Sequence, residues 1–245
     1  MKKHIPNFIT CLNLFSGCVG IYLAYQGSLA VASMFIGVAA AFDFFDGMAA
    51  RLLHVKSEIG KELDSLADII SFGLLPGVIV FELLSSTMNL PQWSSVSINP
   101  YPFVAFLIPV FSALRLAKFN IDSRQTESFI GLPTPAAAIF LGSFPLILTY
   151  AKSAVINDFA HLILVNFFIL TAITLMICWL LVAELPLFSL KFKNLKWKDN
   201  KPQFLLLLIS IFLLLLLKFA ALPVIIMIYV AISLIFRKNE ASGPL

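Results

Sequence analysis

The sequence predicts an all-α, polytopic membrane bundle of about eight transmembrane helices, and three observations carry that prediction. The chain has 245 residues, of which 60% are hydrophobic and only 12% charged, with a mean hydropathy of +0.97. A water-exposed surface cannot be assembled from so few polar residues. Apolar stretches long enough to cross a bilayer, about 20 residues each, recur along the whole chain. Lys and Arg are concentrated in alternate loops, as they are on the cytoplasmic side of membrane proteins. One membrane domain over residues 1–245 accounts for the sequence, with no soluble domain, internal repeat or low-complexity linker.

Taken in order, the expected spans are 8–25, 29–53, 63–84, 101–119, 133–151 and 159–183. The first follows Lys2 and Lys3, but Asn7, Thr10 and Asn13 interrupt its apolar run, so it reads as a span and not as a cleaved leader. A short basic segment around Arg51, Lys56 and Lys61 separates the second span from the third. Residues 87–100 are polar, uncharged and bounded by proline, which marks an external loop. Residues 191–201 carry five lysines around Trp197 and read as an inner-surface loop lying on the membrane. The last apolar stretch, 204–236, is too long for one ordinary span and is interrupted by Lys218 and Pro223. It reads as a hairpin of helices 204–217 and 220–236, with one long bent helix as the alternative. If the amino terminus is inside, all 17 Lys and Arg except Lys152 and Lys218 collect on the inner side. The net charge of +4 then suits anionic lipid head groups, and no nucleic-acid module is visible.

The chemistry is concentrated in two aspartate pairs: Asp43 and Asp46 on the second span, Asp64 and Asp68 on the third. At about 100° per residue, Asp43, Asp46, Gly47 and Ala50 share one helix stripe, and Gly60, Asp64 and Asp68 share another. Four carboxylates at the ends of apolar helices repel one another and are costly to desolvate unless cations neutralise them. Gly47, Ala50 and Gly60 leave room for a ligand against the backbone. Arg51 adds a planar fork of donors suited to phosphate. Hard oxygen ligands, an arginine and a cleared floor describe a site for a metal-bound diphosphate.

The run Asp43-x2-Asp46-Gly47-x2-Ala50-Arg51-x8-Gly60-x3-Asp64-x3-Asp68 resembles, at every position, the signature of the CDP-alcohol phosphotransferase family. These are integral membrane enzymes that move a phosphatidyl or similar group from a CDP-linked donor to an alcohol. The flanking segments Leu63 to Pro76, Ala113 to Asn120 and Gly131 to Ala137 are most similar to the bacterial and archaeal phosphatidylserine synthase branch. The resemblance runs from about Pro6 to about residue 150.

That resemblance implies two divalent ions, Mg2+ or Mn2+, one held by Asp43, Asp46 and Asp64 and the other by Asp43, Asp64 and Asp68. It implies Asp68 as the base that takes the proton of the attacking alcohol. It also implies contacts to CDP-diacylglycerol from Asn7, Thr10, Gly47, Arg51, Ser57 and Gly60, with an ordinary helix cap as the competing role for Ser57. The acceptor is L-serine by the same resemblance, with Ser71, Arg115, Lys118 and Asn120 as candidate contacts. Arg115 and Lys118 have a topological alternative, because basic residues accumulate at inner helix ends anyway. The family further implies a homodimer, while the asymmetry of Lys and Arg implies a multi-pass location in the cytoplasmic membrane with the active site facing the cytoplasm.

Other features weigh less. Cys11, Cys18 and Cys178 lie in expected spans without ligand spacing and read as reduced packing residues. His4, His54 and His161 are scattered, and Glu82 and Glu184 read as interfacial. Two alternatives to serine transfer stay open: a family enzyme using glycerol phosphate, inositol phosphate, choline or an archaeal-type donor, and a divalent-cation transporter lined by intramembrane acids. A transporter would place acids near mid-membrane on several helices, whereas here they gather near one face with glycines and an arginine.

Overall fold

A computed structural model describes residues 4–55, 57–93, 98–122, 129–188 and 200–241. Among them α-helices dominate: α1 (His4–Tyr25), α2 (Leu29–Leu52), α3 (Glu58–Asp68), α4 (Leu75–Ser85), α5 (Leu107–Ile121), α6 (Thr134–Tyr150), α7 (Ala154–Leu164), α8 (Phe167–Val182), α9 (Lys201–Leu217) and α10 (Ala221–Ala241). Strand structure is confined to one antiparallel pairing, β1 (Phe129–Ile130) with β2 (Pro186–Leu187). The all-α expectation holds, and by length and composition several helices suit a multi-pass membrane protein.

The amino-terminal half builds the frame of the site. Gly27, at φ 78°, lets the chain reverse between α1 and α2. The buried stripe of α1 is Pro6, Thr10, Asn13, Ser16, Gly17, Gly20 and Ala24. Small residues let helix backbones approach in lipid, where water does not drive the helices together. A methyl group on Gly17 would lie 2.6 Å from Ser71 Oγ, and one on Gly20 2.6 Å from a Leu75 methyl. The third span therefore sits directly against α1. It is also not a regular helix: α3 passes into α4 through a π-helical segment, Ile69–Leu74. Such a wide turn changes the helical phase, so residues after Asp68 face a different direction from a continuous α-helix.

α6 is the central helix, buried along nearly its whole length despite Pro145 inside it. The main core joins Ile36 of α2, Phe72 of the π segment, Leu75 and Ile79 of α4, Ile108 of α5, Leu141 of α6 and Leu170, Ile177 and Leu181 of α8. Large apolar side chains such as Phe8, Phe15, Tyr22 and Phe45 point outward, which suits contact with lipid chains.

The span boundaries differ from the sequence reading in three places. The third span begins at Glu58, because Ser57 caps it, and runs to Ser85 through the π segment. The stretch 159–183 is not one straight helix: α7 and α8 meet at 80°. Asn166 causes the break, since its side chain accepts from the backbone N–H groups of Phe168 and Ile169 and starts a new helix. The last apolar run extends from Lys201 to Ile235, interrupted at Lys218, whose φ of 52° and ψ of −123° take it out of helical geometry. α9 and α10 pack on one another on either side of that break. Five described helical runs are long and apolar enough to cross a membrane, and six if the bent α7–α8 pair is one span. α6, at 17 residues, is a shorter apolar helix outside that count. Most of the loop 191–201 and the side chains of Lys56 and Arg124 lie outside the described residues.

Candidate active site

Two helices deliver the acids. Asp43 and Asp46 come from the last three turns of α2, Asp64 and Asp68 from α3, and α1 lies across both. Helical periodicity places each pair on one face, and the His54 turn, with φ 52°, returns the chain so that the two faces meet. One carboxylate oxygen from each of Asp43, Asp64 and Asp68 lies within 4.8 Å of the others. Asp68 is buried at 8% exposure, and Asp43 and Asp64 are half-buried. Convergent anionic oxygens in a largely desolvated place need a counter-charge, and an all-oxygen set fits a hard divalent cation. The group can hold a metal ion.

Asp46 differs from the expected ligand set. It is buried at 7% exposure but stands apart from the cluster of three, accepting a 2.7 Å hydrogen bond from Thr10 Oγ1. Thr10 and Asp46 both line the adjoining cavity.

That cavity, of about 670 Å3, is lined by Pro6, Asn7 and Thr10 of α1, Asp46, Gly47 and Ala50 of α2, and Ser57, Gly60, Lys61 and Asp64 around α3. Asp64 belongs to both the cavity and the acid cluster, so the two are continuous. A Cβ on Gly47 would meet nothing within 4 Å, whereas one on Gly60 would lie 3.0 Å from Asn7 Oδ1. Gly47 therefore opens the floor, and Gly60 allows α3 to approach α1. Ser57 caps α3, its Oγ accepting from Gly60 N–H at 3.2 Å, and it also lines the cavity. Arg51 is exposed in the last turn of α2, outside the cavity lining.

The four candidate acceptor contacts are not gathered in one place. Ser71 is fully buried, and its Oγ donates to the backbone oxygen of Asn13 at 3.0 Å, which ties the π segment to α1. Asn120 donates from Nδ2 to Ser65 Oγ at 2.9 Å, and its backbone oxygen accepts from Lys61 Nζ at 3.2 Å, so it fastens α5 to α3. Arg115, at 5% exposure, donates from Nε to Leu132 O at 2.9 Å and lies 5.2 Å from the Phe119 ring. Arg115 and Lys118 line a second cavity of about 350 Å3 together with Asp122 and Glu184.

Asn13 was overlooked in the sequence, where it registers only as an interruption of an apolar run. It is fully buried, and its Nδ2 donates to Asp68 Oδ1 at 3.3 Å. The signal was present in the spacing: Asn7, Thr10 and Asn13 recur every third residue, which puts three polar side chains along one side of a helix.

The profile of the CDP-alcohol phosphatidyltransferase family matches residues 3–182 of the chain. A CDP-diacylglycerol--serine O-phosphatidyltransferase of Bacillus subtilis is 35% identical over 143 residues, 57% of this chain and 73% of that protein. One from Helicobacter pylori is 28% identical over 249 residues, covering 97% of this chain and 96% of its own. An archaetidylserine synthase of Methanothermobacter thermautotrophicus is 33% identical over 153 residues, 60% of each chain.

Proposed function

The chain belongs to the CDP-alcohol phosphatidyltransferase family, and from that premise we propose that it transfers the phosphatidyl group of CDP-diacylglycerol to L-serine, giving phosphatidylserine and CMP. The observation that carries the reading is the convergence of Asp43, Asp64 and Asp68 beside the cavity at Asp46 and Gly47. Serine as acceptor is supported by the names of the similar proteins. They include a serine transferase aligned over nearly the whole chain and an archaetidylserine synthase, in whose name the lipid changes but the serine stays.

Asp43, Asp64 and Asp68, with Asp46 at the edge, would hold Mg2+ or Mn2+, which when bound offsets the diphosphate charge and stabilises the alkoxide as it forms. The chain's own residues do the rest. Asn7, Thr10, Gly47, Ser57 and Gly60 line the cavity that would take the nucleotide part, and Arg51, exposed in the last turn of α2, would swing in to meet phosphate. Asp68 accepts the proton of the serine hydroxyl. The serine oxygen then forms a bond to the phosphorus bearing diacylglycerol, while the bond from that phosphorus to the CMP oxygen breaks and CMP leaves with the electron pair. Arg115 and Lys118, which line the second cavity, would receive the acceptor's carboxylate.

The positive-inside pattern supports an amino terminus in the cytoplasm, about eight spans and an active site at the cytoplasmic face of the cell membrane. The family resemblance supports a homodimer. In a variant without native cysteines, a cysteine at Glu58 is expected to be labelled only from the cytoplasmic side and one at Met88 only from outside. Outside labelling at 58 would reverse the topology.

The proposal is tested by incubating purified protein with CDP-diacylglycerol, Mg2+ or Mn2+ and a panel of alcohols. L-Serine is expected to yield phosphatidylserine and CMP in equal amounts. Product from glycerol 3-phosphate in place of serine would move the chain to another branch, and no product with any alcohol would end the enzyme reading.

A further inference from the structure

Asn13 presents two polar ends, and only one of them is satisfied. Its Nδ2 donates to Asp68 Oδ1 at 3.3 Å, and its backbone oxygen accepts from Ser71 Oγ at 3.0 Å. The side-chain oxygen Oδ1 has no hydrogen-bond partner, in a residue with 0% exposure. A buried carbonyl oxygen without a donor is destabilising, so such an atom in a native site is a place where a donor binds. The amide cannot simply be turned over, because Oδ1 would then face the Asp68 carboxylate and two acceptors would oppose each other.

The position of Asn13 narrows the donor. Thr10, one turn earlier on α1, lines the large cavity, whereas Asn13 does not. The donor lipid brings a diphosphate, which offers only acceptor oxygens at its phosphorus atoms and would repel a carbonyl. The acceptor alcohol brings the missing donors. Its hydroxyl proton goes to Asp68, so the hydroxyl cannot also donate to Asn13. A primary ammonium next to that hydroxyl is the group left to fill Oδ1.

We propose that Asn13 is a specificity-determining residue that reads the ammonium group of an amino-alcohol acceptor through Oδ1 while its N–H holds Asp68 in place for the hydroxyl. This deepens the serine-transfer reading and rests on it. An alcohol without the amine leaves Oδ1 buried and unpaired, and sites built to hydrogen-bond a group reject the analogue that lacks it.

The experiment uses the full-length enzyme in detergent with L-serine and with 3-hydroxypropionate, which has the same hydroxyl and carboxylate but no ammonium. Asn13→Ala keeps the backbone oxygen on which Ser71 rests, and Asn13→Ser serves as the milder variant if the first folds poorly. The expected result is a rise of roughly 10- to 100-fold in KM for L-serine, with KM for CDP-diacylglycerol and the melting temperature unchanged. The preference for L-serine over 3-hydroxypropionate should narrow by a similar factor, read from CMP release or, where release is slow, from the Ki against L-serine. An unchanged KM for L-serine, or equal losses with both acceptors, would overturn the proposal. So would a parallel rise in KM for CDP-diacylglycerol with a lowered melting temperature, which is the mark of a packing role. If the wild type turns over other alcohols but not L-serine, the serine-transfer reading fails instead, and the two failures are distinguishable.

Discussion

Asp68→Asn is expected to abolish phosphatidyl transfer while leaving much of the metal-dependent binding of CDP-diacylglycerol intact. Asp68 is the most enclosed member of the Asp43, Asp64 and Asp68 cluster, and it alone receives the Asn13 amide. An asparagine keeps the shape and one hard oxygen but cannot take a proton from serine. Loss of a positioned base costs roughly 10^2- to 10^4-fold in rate. The nucleotide diphosphate, by contrast, binds without the alcohol being deprotonated. Turnover and equilibrium binding of the nucleotide lipid, measured on the same folded protein, separate these effects. Equal loss of both would make Asp68 chiefly a metal ligand, and near-normal turnover would remove it as the base.

Asp64→Asn is expected to lose binding and turnover together. Asp64 is the one acid shared by the cluster and the cavity, and one of its carboxylate oxygens lies within 4.8 Å of those of Asp43 and Asp68. Neutralising it takes charge from the centre of the site. Added Mg2+ should therefore rescue it poorly, and Asp43→Asn should behave in the same way. A helix-packing role predicts the opposite: a lowered melting temperature with substantial activity retained.

Much of this site was legible because helical periodicity is a strong signal. Spacings of three and four residues place Asp43 with Asp46 and Asp64 with Asp68, and intervening small residues announce the cavity floor. Apolar length likewise marked the spans. What was not legible depends on contacts between helices. The π segment at Ile69–Leu74 leaves no periodic trace, yet it turns Ser71 towards the backbone of Asn13. The 80° bend before α8 falls within continuous apolar composition, where Asn166 is the only local sign. Whether Asn120 faces an acceptor or Ser65 is decided by the packing of α5 on α3, which no local pattern encodes. Asp46 turned to Thr10 shows the same dependence, since the two residues are 36 positions apart.

The central claim is that the carboxylates of α2 and α3 form one cation site on which transfer depends, and binding of Mn2+ followed by electron paramagnetic resonance tests it most directly. The purified wild-type protein is expected to bind Mn2+ tightly, in competition with Mg2+, and Asp64→Asn is expected to lose that binding while remaining folded. Mn2+ binding of wild-type strength and spectrum in Asp64→Asn would contradict the account, because the cation would then be held somewhere other than between Asp43, Asp64 and Asp68.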